Sequence, residues 1–310
     1  MLSNELTISN YCINLMLTKI RQLAIICAVS SPLGAVEATA PKPWLLIADW
    51  QTRSSAAVTH SAADGKYGRS RYGAEAIYQT PTSAIDLEYY KYTNNFSGAL
   101  ATSDCAFGKT TDLMITGFRQ WDWSERYGVQ LIYALESAAE DSMGLSKGFR
   151  WGLGGAARWR PDSETDVAIG VQLEDRFEAG VMPIPYLKLI WSPTPSAEFE
   201  ARITGLQNGI ILRGFLTEDK STTVDLTVAY ETLTFRLTDG SYGSRAVSVG
   251  EVVTRVGLTQ FLESSGTWFA RASLEWVPFS RYSFKHDSET VGVFQNSPTW
   301  GAAVRVGARF

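Results

Sequence analysis

Histidine and cysteine are scarce in this chain. Its two histidines, His60 and His286, and three cysteines, Cys12, Cys27 and Cys105, are scattered. Zinc-type centres need closely spaced Cys/His pairs, so no such cluster can be assembled from the sequence. Long apolar runs are also missing. Beyond the first forty residues none approaches the roughly 18 residues of a spanning helix, so any membrane crossing has to be made by strands. Cationic excess is absent: 28 Lys and Arg stand against 32 Asp and Glu, a net charge of −4. Without a basic stripe, nucleic acid is not an expected partner.

What the N-terminal part does contain is a leader pattern. Lys19 and Arg21 precede the apolar segment Leu23–Val36, and Ala38-Thr39-Ala40 fits a small-x-small cleavage site. Residues 1–40 are therefore expected to form a signal peptide region and 41–310 the mature protein. The polar stretch before Met16 is unlike an n-region, which points to Met16 as the start, with a long n-region from Met1 as the alternative. Ala24-Ile25-Ile26 before Cys27 matches a lipobox poorly. Removal of the leader would leave Cys105 alone, with no intrachain disulfide.

The remainder alternates with a period of two. In 149–160, Phe149, Trp151, Leu153, Gly155, Ala157 and Trp159 oppose Arg150, Gly152, Gly154, Ala156, Arg158 and Arg160. In 267–276, Trp268, Ala270, Ala272, Leu274 and Trp276 oppose Arg271, Ser273 and Glu275. Such runs are half-buried strands, and they are longer than the usual five or six residues. Short turns rich in Pro, Asp, Ser and Gly, at 79–84, 122–125, 160–164, 192–196, 218–221 and 263–266, alternate with looser stretches at 57–69, 97–110, 137–147, 238–248 and 278–298. The expected strands number fourteen: 44–56, 70–79, 84–96, 110–120, 125–137, 148–160, 165–177, 184–192, 196–206, 208–217, 222–236, 250–262, 267–277 and 299–310. Twelve is the alternative. Gly152-Leu-Gly-Gly-Ala-Ala157 faintly matches a dinucleotide fingerprint, but it runs along a strand into Arg160-Pro161 and opens no helix.

The last strand sharpens the picture. Trp300, Ala302, Val304, Val306, Ala308 and Phe310 share one parity, while Gly301, Ala303, Arg305, Gly307 and Arg309 share the other. A row that is apolar on one face and ends on an aromatic resembles the C-terminal signal strand of bacterial outer-membrane β-barrel proteins. The resemblance covers the whole mature chain. It implies an all-β, antiparallel transmembrane β-barrel in the outer membrane of a Gram-negative cell, with both termini periplasmic and Trp300, Val304, Val306 and Phe310 as membrane anchor and assembly signal. Outer-membrane lipids and the barrel-assembly machinery would then be partners.

The opposite strand faces carry charge of both signs. Arg150, Arg158, Asp166, Glu174, Arg176, Glu200, Arg202, Arg271, Glu275 and Arg305 are the expected lumen-facing charges. They either line a wet pore or pair across the lumen and close it. The leading expectation is a passive pore for small hydrophilic solutes, with no cofactor, no metal and no catalytic residue. Two alternatives remain. One is an outer-membrane lipid hydrolase using His286 and Ser288, whose His-x-Ser spacing puts both side chains on one strand face. The other is a structural or surface-binding barrel with a closed lumen.

Overall fold

A computed structural model describes residues 43–59, 63–103, 106–177, 180–203, 208–238, 246–262, 266–287 and 289–310. The expected leader, all three cysteines, His60 and Ser288 lie outside these residues. The strands are β1 (Trp44–Thr59), β2 (Gly65–Thr80), β3 (Ser83–Gly98), β4 (Thr110–Asp122), β5 (Tyr127–Glu140), β6 (Phe149–Trp159), β7 (Thr165–Arg176), β8 (Gly180–Thr194), β9 (Ala197–Ile203), β10 (Asn208–Phe215), β11 (Thr222–Arg236), β12 (Ala246–Phe261), β13 (Trp268–His286), β14 (Glu289–Asn296) and β15 (Thr299–Arg309).

Each strand pairs antiparallel with the next. β14 and β15 are two parts of one wall position, since both lie between β13 and β1. The sheet thus closes as a 14-strand antiparallel barrel. At the seam, Phe310 N donates to Trp44 O at 2.9 Å and Trp44 N donates to Phe310 O at 3.3 Å. The break between β14 and β15 falls at Pro298, which has no N–H to give to a ladder, and it faces the register jump between Arg53 and Ala56 on β1.

Two departures from the sequence reading stand out. Residues 278–298, expected as a loop, are instead the upper part of β13, a tight turn and β14. Likewise, β1, β2 and β12 each run several residues into stretches expected to be loose. The reason is a change of phase. On β3 the outward row Ile85, Leu87, Tyr89 gives way to Lys91, Thr93, Asn95 and Ser97. Its inward row changes from Asp86 and Glu88 to buried Tyr90 and Tyr92. On β11 the exposed outward residues Leu226 and Val228 give way to Thr232 and Thr234, and inward Asp225, Thr227 and Glu231 to Leu233 and Phe235. β2 and β13 invert in the same sense. In the half nearer the termini the wall is apolar outside and mostly charged inside, with an inward apolar cluster of Leu45, Ile47, Ile77 and Phe269 at the very end. Toward the opposite rim it is polar outside and apolar inside.

That far half forms a head with its own core. Tyr67, Tyr90, Tyr92, Leu233, Phe235, Val247, Val249, Tyr282, Phe284 and Phe294 pack in one cluster. The Tyr282 and Phe294 rings stack at 4.3 Å, and Tyr92 meets Phe235 across the barrel at 5.2 Å. The head narrows because β5 and β11 touch: Arg236 pairs with Ala139 in a parallel bridge. Glu140 clamps this contact, accepting from Thr238 N at 3.0 Å, from Thr238 Oγ1 at 2.5 Å and from Gly108 N at 2.6 Å. β9 and β10, of 7 and 8 residues, stop short of the head. At about 3.3 Å per residue, β9 spans about 23 Å, which matches the ~25 Å apolar band of transmembrane barrels.

Candidate functional site

The inner wall below the head is divided into two sectors. In the sector of β1, β2 and β11 to β15, charged side chains interlock. Arg53 on β1 reaches Glu251, Glu275 (3.2 Å) and Glu231 (3.4 Å) on three other strands. Arg69 donates to Glu251 at 2.8 Å, and Arg255 to Glu275 at 2.6 Å and Glu231 at 3.3 Å. Arg71 pairs with Asp49 at 2.5 Å, and Arg305 bridges Asp49 (3.0 Å) and Glu75. Arg271 pairs with Asp225. Every one of these side chains is buried. A desolvated charge persists only with partners, and here each Arg meets at least one carboxylate. This sector is filled, first by the ion network and then, above it, by the aromatic core.

The second sector, β4 to β9, is furnished differently. At the end near the termini, Arg158 donates to Asp166 (2.7 Å from Nε) and sits 3.8 Å from Asp122, which also accepts from Arg160 at 2.9 Å. Asp166 and Asp122 keep 29% and 27% of their side-chain surface in contact with solvent, against 1% for Glu275. At the other end is a cavity of about 50 Å³ bordered by Glu136, Arg150, Glu174, Arg176, Thr232 and Thr234. Arg150 donates to Glu136 at 2.6 Å and Arg176 to Glu174 at 3.2 Å. The Arg150 guanidinium lies 4.9 Å from the Phe177 ring centre. Thr232 and Thr234 belong to the outer face of the head, so the cavity sits on the shoulder where the narrow head rises from the wider barrel.

Of the residues singled out from sequence, Arg271, Glu275 and Arg305 join the filled network. Arg150, Glu174 and Arg176 meet at the shoulder, and Arg158 and Asp166 meet at the terminal end. Glu200 bonds Arg202 and Arg213. Trp300, Val304, Val306 and Phe310 point outward and are exposed. They extend an apolar belt that includes Trp44, Leu46, Trp50, Leu153, Ile169, Val171, Leu226, Leu258 and Leu274. His286 ends β13, its Nε2 3.4 Å from Asp287 Oδ2, one residue beyond Lys285, which borders the shoulder cavity.

The residues that the sequence reading passed over are the aromatic core of the head; Glu75, Asp86 and Glu88 were expected on the lumen row, and the structure gathers them into one trio. The trio's oxygens approach within 4.8 Å of one another. The available signal was the switch of apolar parity inside a strand, plainest at the adjacent Tyr89-Tyr90 pair.

Neither a known family profile nor a curated protein matches the sequence. Among solved structures, the chain is similar to a mutant of the TodX monoaromatic hydrocarbon channel (9% identity, 87% of this chain and 91% of that one, TM-score 0.42). It is also similar to an outer-membrane channel from Pseudomonas putida F1 (11%, 90% and 100%, 0.42) and to the KdgM porin in complex with disordered oligogalacturonate (9%, 85% and 99%, 0.35). A closed antiparallel barrel with an exposed apolar belt and a charged inner wall is the architecture of a transmembrane β-barrel.

Proposed function

We propose that the protein is an outer-membrane channel for small hydrophilic solutes. It would sit with its termini and short turns toward the periplasm and its head beyond the outer leaflet. The carrying observation is the asymmetry of the inner wall. One sector is sealed by ion pairs and aromatic rings, while the other has a solvent-reached, charge-lined mouth at the terminal end and a charge-lined cavity of about 50 Å³ at the shoulder. A purely structural barrel has no need of charge-lined recesses at both ends of the same sector. Short, paired charges at both openings suit hydrated solutes of modest size rather than greasy ones.

Swelling of proteoliposomes in glycerol, arabinose and sucrose tests this reading. Uptake of the smaller solutes with exclusion of the largest is expected, and impermeability to all of them would refute it. In planar bilayers, Arg158→Glu or Arg176→Glu should move ion preference toward cations, with an effect that fades as salt screens the fixed charge. The closed-lumen reading is favoured by one observation, the packing of Phe118, Ile132, Ala156, Ala168 and Tyr186 between the two openings. Silence in both assays would select it.

A further inference from the structure

We infer that Tyr186 is the gate of this channel, and that the sector it closes passes small uncharged or zwitterionic polar solutes; the inference rests on the channel reading above. Between the two openings lie two consecutive rungs of the ladder. One runs Gln120, Gln130, Ala156, Gly170, Tyr186, and the other Phe118, Ile132, Gly154, Gln172, Ile184. Neither rung carries a charged side chain, although charges flank them on both sides.

Four of the inward positions of β6 and β7 here are small: Gly154, Ala156, Ala168 and Gly170. At Gly154 and Gly170 the backbones of β6 and β7 come so close that a side-chain carbon would meet the neighbouring strand within 3 Å, so the wall here is thin and only Ala156 and Ala168 carry a methyl. Tyr186, projecting from β8, covers this wall and is 8% exposed, packed with Ile132, Ala156 and Ala168 and with Phe118 beside them. Among the described residues its only side-chain hydrogen bond is donated by the hydroxyl to Gln130 Oε1 at 3.4 Å. That separation is at the weak end of the hydrogen-bond range. The obstructions in the other sector are multiply bonded Arg and Glu side chains, interlocked rings and the apolar cluster of Leu45, Ile47, Ile77 and Phe269. Among the described residues the Tyr186 ring is held by dispersion and one long bond, so a change of side-chain rotamer, with no movement of the backbone, vacates the rung it fills, and the buried Ile184 and Gln172 border the next.

The chemistry of the rungs sets the solute class. An ion crossing them would shed water and find on the rungs only three side-chain amides, a phenol and backbone. A dehydrated charge is poorly compensated by such groups, whereas hydroxyls and amides can exchange hydrogen bonds with Gln130 and Gln172. The paired Arg and carboxylate groups at each opening can greet either sign, and the neutral rungs then do the discriminating.

The experiment compares wild type, Tyr186→Phe, Tyr186→Ala and, as a control in the head, Tyr92→Ala, each checked for heat-modifiable migration as folded barrels. Proteoliposome swelling in glycerol and arabinose should be several-fold faster with Tyr186→Ala. It should be modestly faster with Tyr186→Phe, which loses the tether but keeps the ring. Tyr92→Ala should behave as wild type. A permeable wild type made several-fold faster by Tyr186→Ala supports both the gate and the channel, while a silent wild type beside a permeable Tyr186→Ala means that the ring plugs a closed lumen and overturns the channel reading. A permeable wild type with both Tyr186 variants unchanged overturns the gate and leaves the channel standing. Impermeability of all four overturns the channel reading itself. Permeability raised by Tyr92→Ala alone places the route through the head and overturns the sector assigned here.

Discussion

Replacing Glu251 with Gln would remove one charge from the middle of the ion network while keeping the side chain's shape. Glu251 accepts from Arg53, from Arg69 at 2.8 Å and from the Tyr282 hydroxyl at 3.3 Å. Arg53 would keep Glu231 and Glu275. Arg69 has no second ion-pair partner among the described residues. It would be left as a desolvated guanidinium beside the Tyr92 ring, whose centre is 5.6 Å away. Breaking a buried pair by removing one partner costs about 3–5 kcal/mol. The comparison is Asp141→Asn, which removes the partner of Lys91 at 3.6 Å in a pair whose side chains are each 35% exposed. An exposed pair of that kind is worth about 0–1 kcal/mol.

Urea unfolding of the vesicle-reconstituted barrel, followed by tryptophan fluorescence, would give both values. The double variant Arg69→Met/Glu251→Gln should recover most of the loss, since replacing a whole buried pair by apolar and neutral groups is often close to neutral. If Glu251→Gln costs no more than Asp141→Asn, the network is hydrated, the sector is open, and the division of the lumen drawn above is wrong.

Three further outcomes follow from the same structure. Leu153→Arg, on the exposed belt, should cost about 2–4 kcal/mol near the bilayer midplane in the same unfolding assay, and insensitivity there would argue against a lipid-facing belt. Phe235→Ala should cost about 3–5 kcal/mol as a large-to-small core change. It should also speed hydrogen exchange in the head while sparing β6 to β8, and uniform loosening would show that the head has no core of its own. In the turn at 216–221, hydrogen bonds from Thr217 and Ser221 hold the Asp219 carboxyl below its ordinary value. A depressed folded value means that the stabilisation is present above the ordinary carboxylate pKa and is lost as pH falls through the lowered one. Amide exchange at Ser221 should therefore rise on acidification, and Asp219→Ala should abolish that pH dependence.

Sequence periodicity by itself determined the all-β class, the number of wall positions and the turns at the terminal end. Those features are local: side chains alternate every residue, and Pro, Asp, Ser and Gly act within four residues of a turn. The outward row of the last strand, from Trp300 to Phe310, was legible for the same reason. Sequence also supplied the charges of the inner wall, but not their fate. Whether Arg53 and Glu231 meet depends on how far apart β1 and β11 stand, a distance set by the closed barrel and by no spacing along the chain. The strands of the head were misread as loops because the apolar parity flips at positions such as Tyr89-Tyr90, which looks like a lost pattern in one dimension. In three dimensions it is a wall passing from a setting with apolar surroundings and a polar interior to one with the reverse. Only the tertiary structure brought β5 against β11, closed the head around its rings and left β9 and β10 short. Contacts such as Arg236 with Ala139 join residues remote in sequence, and burial on folding, which no local pattern encodes, decides which charges end up paired and buried and which keep contact with solvent.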